Sequence, residues 1–250
     1  MIYITGDCHQ DFQRFQTHNF PEQFEMTKED FVIICGDFGG IWDNSETEHE
    51  KRLMDDLESL PFTTLFVDGN HENYDRLYAF PEEIWHGGKV HKIRPSVIHL
   101  MRGQVFEIGG KYIFTFGGAR SHDISGGVLD PGAPDYKEQL QRAKRGYEPF
   151  RIKHVSWWDQ EMPSEEEFEE GLRKLETVGY QVDFIVTHCA PTDVQALFSG
   201  GLYSKDQLTD YLMELEKRTE FVKWFFGHYH DNRNVLDRFV MIYEQIIRIV

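Results

Sequence analysis

Phe31-Val32-Ile33-Ile34-Cys35-Gly36-Asp37 is an apolar run that ends abruptly on a glycine and a carboxylate. It is short, β-branched and aromatic, and continuous rather than alternating. That pattern suits a strand buried on both faces of a sheet that is itself covered by helices. The arrangement recurs four times along the chain. Ile2 to Ile4 leads into Gly6-Asp7-Cys8-His9, and Thr63 to Val67 leads into Gly69-Asn70-His71-Glu72. Phe184 to Val186 runs into Thr187-His188 with Pro191 beyond, and Phe221 to Phe226 into Gly227-His228-Tyr229-His230.

Helical patterns lie between these runs. One covers about Thr47 to Leu60, with Leu53, Leu57 and Leu60 on one face and Pro61 as its stop. A second opens on the capping box Ser164/Glu167, with Phe168, Leu172 and Leu175 sharing a face. Ser204 and Gln207 stand in the same relation ahead of Leu208, Leu212 and Leu215, and predict a third. Gln104 to Thr115 reads as a hairpin turning on Gly109-Gly110, and Asn234 to Val250 as further antiparallel strands. The mixture predicts an α/β protein of two mixed β-sheets packed as a sandwich with flanking helices. No repeat or break in composition divides the chain, so residues 1–250 read as one domain. Residues 119–162 are the irregular stretch, a lid or insertion candidate in which a helix packed by Trp157 and Trp158 is the competing reading.

A hydrophobic content of 40%, with 20 Phe and 11 Tyr, describes a packed globular chain. The formal net charge of -17 repels nucleic acid in bulk and anionic membrane, both of which are drawn to Lys and Arg patches. Oligomeric state is not legible. Cys8, Cys35 and Cys189 are odd in number and irregularly spaced, which argues for a reducing compartment and small apolar fillers rather than disulfides. With no basic leader at the N-terminus and no apolar stretch near ~20 residues, the expectation is a cytoplasmic protein.

The five motifs all fall where strands end, the place at which loops diverge and leave a crevice in open α/β sheets. Glycine before a ligand lets the chain turn sharply out of a strand; Thr187-His188 lacks one and needs another device. A single Gly-Asp is most often a solvated turn, and a lone His is more often satisfied by a core hydrogen bond. The joint set decides otherwise. Asp, Asn and His donors without thiolates suit Mn, Fe, Co, Ni or Zn. The run Glu165-Glu166-Glu167 is better explained as acidic complement to a helix N-terminus.

This ordered set resembles the calcineurin-like metallophosphoesterase superfamily, whose pattern is GD-x-H, GD, GNH(E/D), a His before a downstream Pro, and GH-x-H. The match runs from residue 7 to residue 230. The resemblance implies a four-layer fold and two divalent transition-metal ions. Asp7, His9 and His230 would hold one ion, Asn70, His188 and His228 the other, and Asp37 would bridge them. His71 matches the family histidine that meets the substrate phosphate and protonates the leaving group. The implied reaction is phosphoester hydrolysis, with a small phosphorylated substrate as the expected partner and a metal-held hydroxide attacking in line between ions roughly 3.5 to 4 Å apart. A protein serine/threonine phosphatase-like activity and a non-catalytic scaffold on the same fold are the alternatives. Gly36-Asp37-Phe38-Gly39-Gly40 has no following Arg to contact phosphate, as that phosphatase branch has; Arg120 is the nearest replacement in sequence, with His122 and Asp123 as substrate-loop candidates.

Overall fold

The computed structural model describes all 250 residues. The first strands are β1 (Ile2–Thr5), β2 (Phe31–Ile34), β3 (Thr63–Phe66), β4 (Glu82–Trp85), β5 (Gly88–Arg94) and β6 (Val97–Leu100). Then come β7 (Gln104–Ile108), β8 (Lys111–Phe116), β9 (Val128–Leu129), β10 (Arg151–Ile152) and β11 (Phe184–Thr187). The last are β12 (Lys223–Phe226), β13 (Arg233–Val235), β14 (Phe239–Met241) and β15 (Ile247–Arg248). The helices are α1 (Glu48–Ser59), α2 (Tyr74–Leu77), α3 (Tyr136–Gly146), α4 (Glu165–Thr177), α5 (Thr192–Ser199) and α6 (Gln207–Arg218).

Two large mixed sheets carry the fold, in the orders β15-β1-β2-β3-β6-β5-β4 and β13-β14-β12-β11-β8-β7. Ile2, Ile33, Leu65 and Ile98 of the first sheet share one core with Ile113, Phe184, Val186 and Phe225 of the second. A separate core joins the other face of the second sheet to α4 and α6 through Phe168, Leu175, Leu208 and Leu212. The third packs Met54 and Leu57 of α1 on Val32, Ile34 and Phe66. Helix, sheet, sheet and helix therefore stack in four layers, as the alternation of runs and helical patterns predicts.

Local signals hold at most points. Thr47 caps α1 by accepting from the Glu50 N–H, and Leu60 is extended ahead of Pro61. Met54 and Leu57 form the buried face of α1, with Leu53 and Leu60 only partly covered. Gly109 and Gly110 take φ of 58° and 72°, the left-handed pair that a tight two-residue hairpin needs. The Ser164/Glu167 capping box is present, but that of Ser204/Gln207 is not. There Asp206 accepts from the Thr209 N–H and Thr209 Oγ1 accepts from the Asp206 N–H, so α6 starts two residues later than the expected box implies. Asp is as good a cap as Ser, and Leu208 and Leu212 remain buried.

Residues 119–162 are neither an open loop nor a single helix. They hold the amphipathic α3 and a parallel pair, β9 with β10, in which Arg151 is opposite Val128. Trp158 is fully buried, its indole N–H on Asp75 Oδ2 and its ring edge-on to Trp42. That indole docks the segment against α2 and the loop after β2.

Candidate metal centre

β1, β2 and β3 are parallel neighbours in register, so the loops bearing Asp7, Asp37 and Asn70 leave the first sheet side by side. In the second sheet β11 and β12 are likewise parallel, which brings His188 and His228 together, and their rings lie 4.9 Å apart. The two sets meet across the sandwich. The backbone N–H of His228 donates to Asp7 Oδ1 at 2.9 Å, and the N–H of His71 to Asp37 Oδ1 at 2.8 Å.

The motif glycines serve mainly close approach rather than turning. A Cβ on Gly69 would stand 2.0 Å from Asp37 Oδ1, and one on Gly227 2.1 Å from Asp7 Oδ1. Neither has positive φ; Gly36 does, at 91°. The turns fall instead on His9, Gln10, Asp37, His228 and His230, with φ between 45° and 68°. Strained non-glycine backbone of this kind clusters at functional sites. At Thr187 the missing glycine is replaced by a hydroxyl that donates to Cys189 O and accepts from the Trp224 indole.

Asp7, His9 and His230 form one tight trio, Asp7, Asp37 and His188 a second, and His9, Asp37 and His71 a third; ligand atoms within each lie within 4.8 Å. His9 Nε2 is 3.1 Å from His230 Nε2 and 3.6 Å from Asp37 Oδ2, and His230 Nε2 is 3.1 Å from Asp7 Oδ2. His188 is fully buried and donates from Nδ1 to the carbonyl of Cys35 at 2.8 Å, since a carbonyl only accepts. That leaves Nε2 as the free nitrogen. It lies 3.2 Å from Asp37 Oδ1 without hydrogen-bonding geometry. Asn70 is similar: its Nδ2 donates weakly to Ser121 Oγ at 3.4 Å, while its buried Oδ1 has no partner.

The charges tell the same story. Burial would raise the Asp37 carboxyl, but the imidazoles of His188, His71 and His9 outweigh it and hold the group far below the usual carboxylate range. Burial would lower His188, and Asp37 and Asp7 overcome that, pushing it up to about 10. The cluster draws positive charge onto a nitrogen that lacks a hydrogen-bond partner. Orphaned buried atoms are rare and call for an explanation. A divalent cation supplies one: oxygen and imidazole donors without sulfur, two of them with no partner in the protein, fit a borderline metal ion.

The residues around the centre include several that sequence reasoning missed. Glu72, fully buried, accepts from the N–H groups of Phe38 and Gly39 and fixes the Asp37 loop. Arg14 donates to Asp7 O at 2.6 Å and Tyr243 O at 2.6 Å, bracing the first loop. Arg151 Nη2 stands 3.5 Å from His71 Nε2. The only trace of Glu72 in the sequence is its place after Gly69-Asn70-His71; Arg14 and Arg151 leave none, because a distant Arg has no local pattern. Burial lowers the pKa of His71, which makes its imidazolium a readier proton donor and also a scarcer one. Arg120 is exposed and lines a cavity of about 380 Å³ with His122, Tyr203 and His228. The larger cavity, about 960 Å³, lies beyond His91 and His99 and holds none of the motif side chains. Chemistry, rather than size, singles out the cleft.

Comparison with known proteins agrees with this geometry. The family described as calcineurin-like phosphoesterase matches residues 1–232. The chain belongs to that family. That family is one of phosphoesterases, hydrolases that use divalent ions. Its relatives include lariat debranching enzyme A of Xenopus laevis, 25% identical over 171 residues, which are 62% of this chain and 30% of that protein. The lariat debranching enzyme of Drosophila melanogaster is 23% identical over 258 residues, 92% of this chain and 42% of that protein. The human lariat debranching enzyme is 23% identical over 171 residues. The chain thus spans less than half the length of these relatives. No helix is long and apolar enough to cross a membrane.

Proposed function

We propose that this member of the family hydrolyses phosphoesters of small substrates with two divalent transition-metal ions, Mn, Fe, Zn, Ni or Co. Asp7, His9 and His230 would hold one ion and Asn70, His188 and His228 the other, with Asp37 placed to serve both. The carrying observation is the unpartnered pair of donors, Asn70 Oδ1 and His188 Nε2, buried beside a carboxylate ringed by imidazoles. Bound ions of this kind supply Lewis acidity at a phosphoryl oxygen and a nucleophile available at neutral pH. The chain's own residues do the rest. The Asp37 loop is clamped by Glu72 so that the carboxylate cannot swing away. His71, which belongs to the third trio but lies outside the proposed ligand set, delivers a proton to the leaving oxygen.

A small substrate is supported by the cavity of about 380 Å³ that adjoins His228, at the lower end of the range for small-molecule sites. The net charge of -17 opposes a long polyanion. The free, buried state of all three cysteines is what a reducing, cytoplasmic setting permits. The names of the relatives favour a second reading, debranching of a lariat, which the small cavity and the net charge weaken. A serine/threonine phosphatase-like role lacks its Arg after Asp37, and a scaffold role leaves a full donor set without purpose.

The test is turnover of p-nitrophenyl phosphate and its bis ester by Mn(II)-loaded protein, followed by phosphorylated metabolites and a phosphopeptide. Metal-dependent release of p-nitrophenol is expected. Protein that binds metal yet turns over no phosphoester in the panel counts against the reading.

A further inference from the structure

Two arginines lie near the third motif, and they are used in opposite ways. Arg102 is buried and held at all three of its nitrogens: its Nε and Nη2 donate to Asp68, Nη2 also to Tyr74 and to Gln160 O, and Nη1 to Glu167. Arg151 is held at only two. Nε and Nη2 donate to the two oxygens of Asp123, Nη2 stands 3.5 Å from His71 Nε2, and Nη1 makes no hydrogen bond within the chain. Its side chain is 17% exposed, and the approach of Nη2 to His71 sets the guanidinium at the edge of the cleft.

The surrounding structure holds Arg151 at this spot. Parallel pairing of β10 with β9 sets its register, with its N–H on Gly127 O. The Ile152 N–H donates to Ser156 Oγ, which tightens the turn leading to Trp158. Trp158 packs edge-on to Trp42, which in turn lies nearly parallel to the His71 ring at 6.0 Å. Residues 119–162 thus deliver one fork-shaped cation to the side of the cleft that bears His71.

We propose that Arg151 is the residue that grips the substrate phosphoryl group in this chain, with Asp123 as the fixed counter-charge that aims its free Nη1. The assignment rests on the phosphoesterase reading above. It supplies the cation that the second motif lacks, from a segment distant in sequence. A planar guanidinium with one edge tied and another open matches the geometry of phosphate oxygens, whereas a lysine there would offer only a point charge. Asp123 keeps the fork oriented in an acidic protein whose other carboxylates would otherwise compete for it.

Mn(II)-loaded wild type, Arg151→Ala, Arg151→Gln and Arg151→Lys are compared by calorimetric titration with inorganic phosphate, with metal content and thermal melting measured alongside. The Ala and Gln variants are expected to hold the same metal, to weaken phosphate binding about 10- to 100-fold and to raise KM for p-nitrophenyl phosphate similarly. Lys is expected to recover part of the loss. Should Ala fail to fold, Gln and Lys carry the test. Unchanged phosphate affinity and KM with a reduced kcat would mean that Arg151 only orients His71, and the proposal falls. It falls equally if the wild type does not bind phosphate, or if Arg120→Ala weakens phosphate binding where Arg151→Ala does not. Wild type that binds metal and phosphate but turns over no ester defeats the phosphoesterase reading alone, because the affinity comparison still decides the role of Arg151.

Discussion

Asp37 and Asp68 are both buried carboxylates on loops that leave the first sheet, and they are settled in contrary ways. Asp68 receives its counter-charge from the chain: Arg102 donates at 2.5 and 2.8 Å, His99 at 3.0 Å and Tyr74 at 2.9 Å. Burial would raise its pKa, and Arg102 and His99 outweigh that and keep the group ionised. The Asp37 carboxylate receives one backbone N–H, that of His71, and a ring of imidazoles, with no arginine or lysine paired to it. A buried carboxylate closed by its own cation is a structural element. One faced by unpartnered nitrogen and oxygen donors is a place for a cation from outside.

That contrast can be pressed hardest at Asp68. Asp68→Ala leaves Arg102 buried without its charge partner and is expected to cost about 3–5 kcal/mol of stability. The loss should appear in urea unfolding equally with Mn(II) and with chelator. A loss confined to the metal-loaded protein would erase the distinction between the two carboxylates.

His71→Ala separates chemistry from structure in the same loop. Turnover is expected to fall about 10²- to 10⁴-fold, the usual contribution of a general acid, while metal content and melting temperature stay near wild type. Steady-state kinetics beside elemental analysis checks it, and undiminished turnover removes the acid role.

Ligand linkage gives a smaller effect. Metal at 100 times its Kd stabilises the folded state by about 2.7 kcal/mol, so EDTA should lower the melting temperature of wild type. Asp37→Asn should melt at the same temperature with and without EDTA. A shift in that variant as large as in wild type would show that Asp37 is not central to the site.

The smallest effect lies on the structural side. His91 is buried against His99, and burial with that neighbour lowers its pKa from 6.5 to about 4. A base with a depressed folded pKa contributes stability that is present above pH 6.5 and lost as pH falls towards 4. Urea midpoints should therefore drop between pH 7 and pH 4.5 by more in wild type than in His91→Leu. Equal slopes would mean that His91 carries no such linkage.

The two carboxylates were also unequally legible. Asp37 announces itself by sitting after Phe31-Val32-Ile33-Ile34-Cys35-Gly36, and every proposed ligand has a comparable local address at a strand end. The sheets followed from the same runs, because a strand buried on both faces has little freedom in composition. Asp68 gave no signal, since its partners Tyr74, His99 and Arg102 come from α2, β6 and the turn after β6 and converge only in space. Arg151 was hidden for the same reason, in a segment whose two-residue strands are too short to show a period. The strain at His9, Asp37, His228 and His230 was misassigned to glycines, because sequence alone does not tell a glycine needed for its φ from one needed for its missing Cβ.

Metal stoichiometry tests the central claim most directly. Purified protein is stripped, reloaded with Mn(II), desalted and assayed by elemental analysis beside Asp37→Asn. Two ions per wild-type chain and a marked loss in the variant are the expected result; folded wild type that retains none, or a variant that retains as many, contradicts the account.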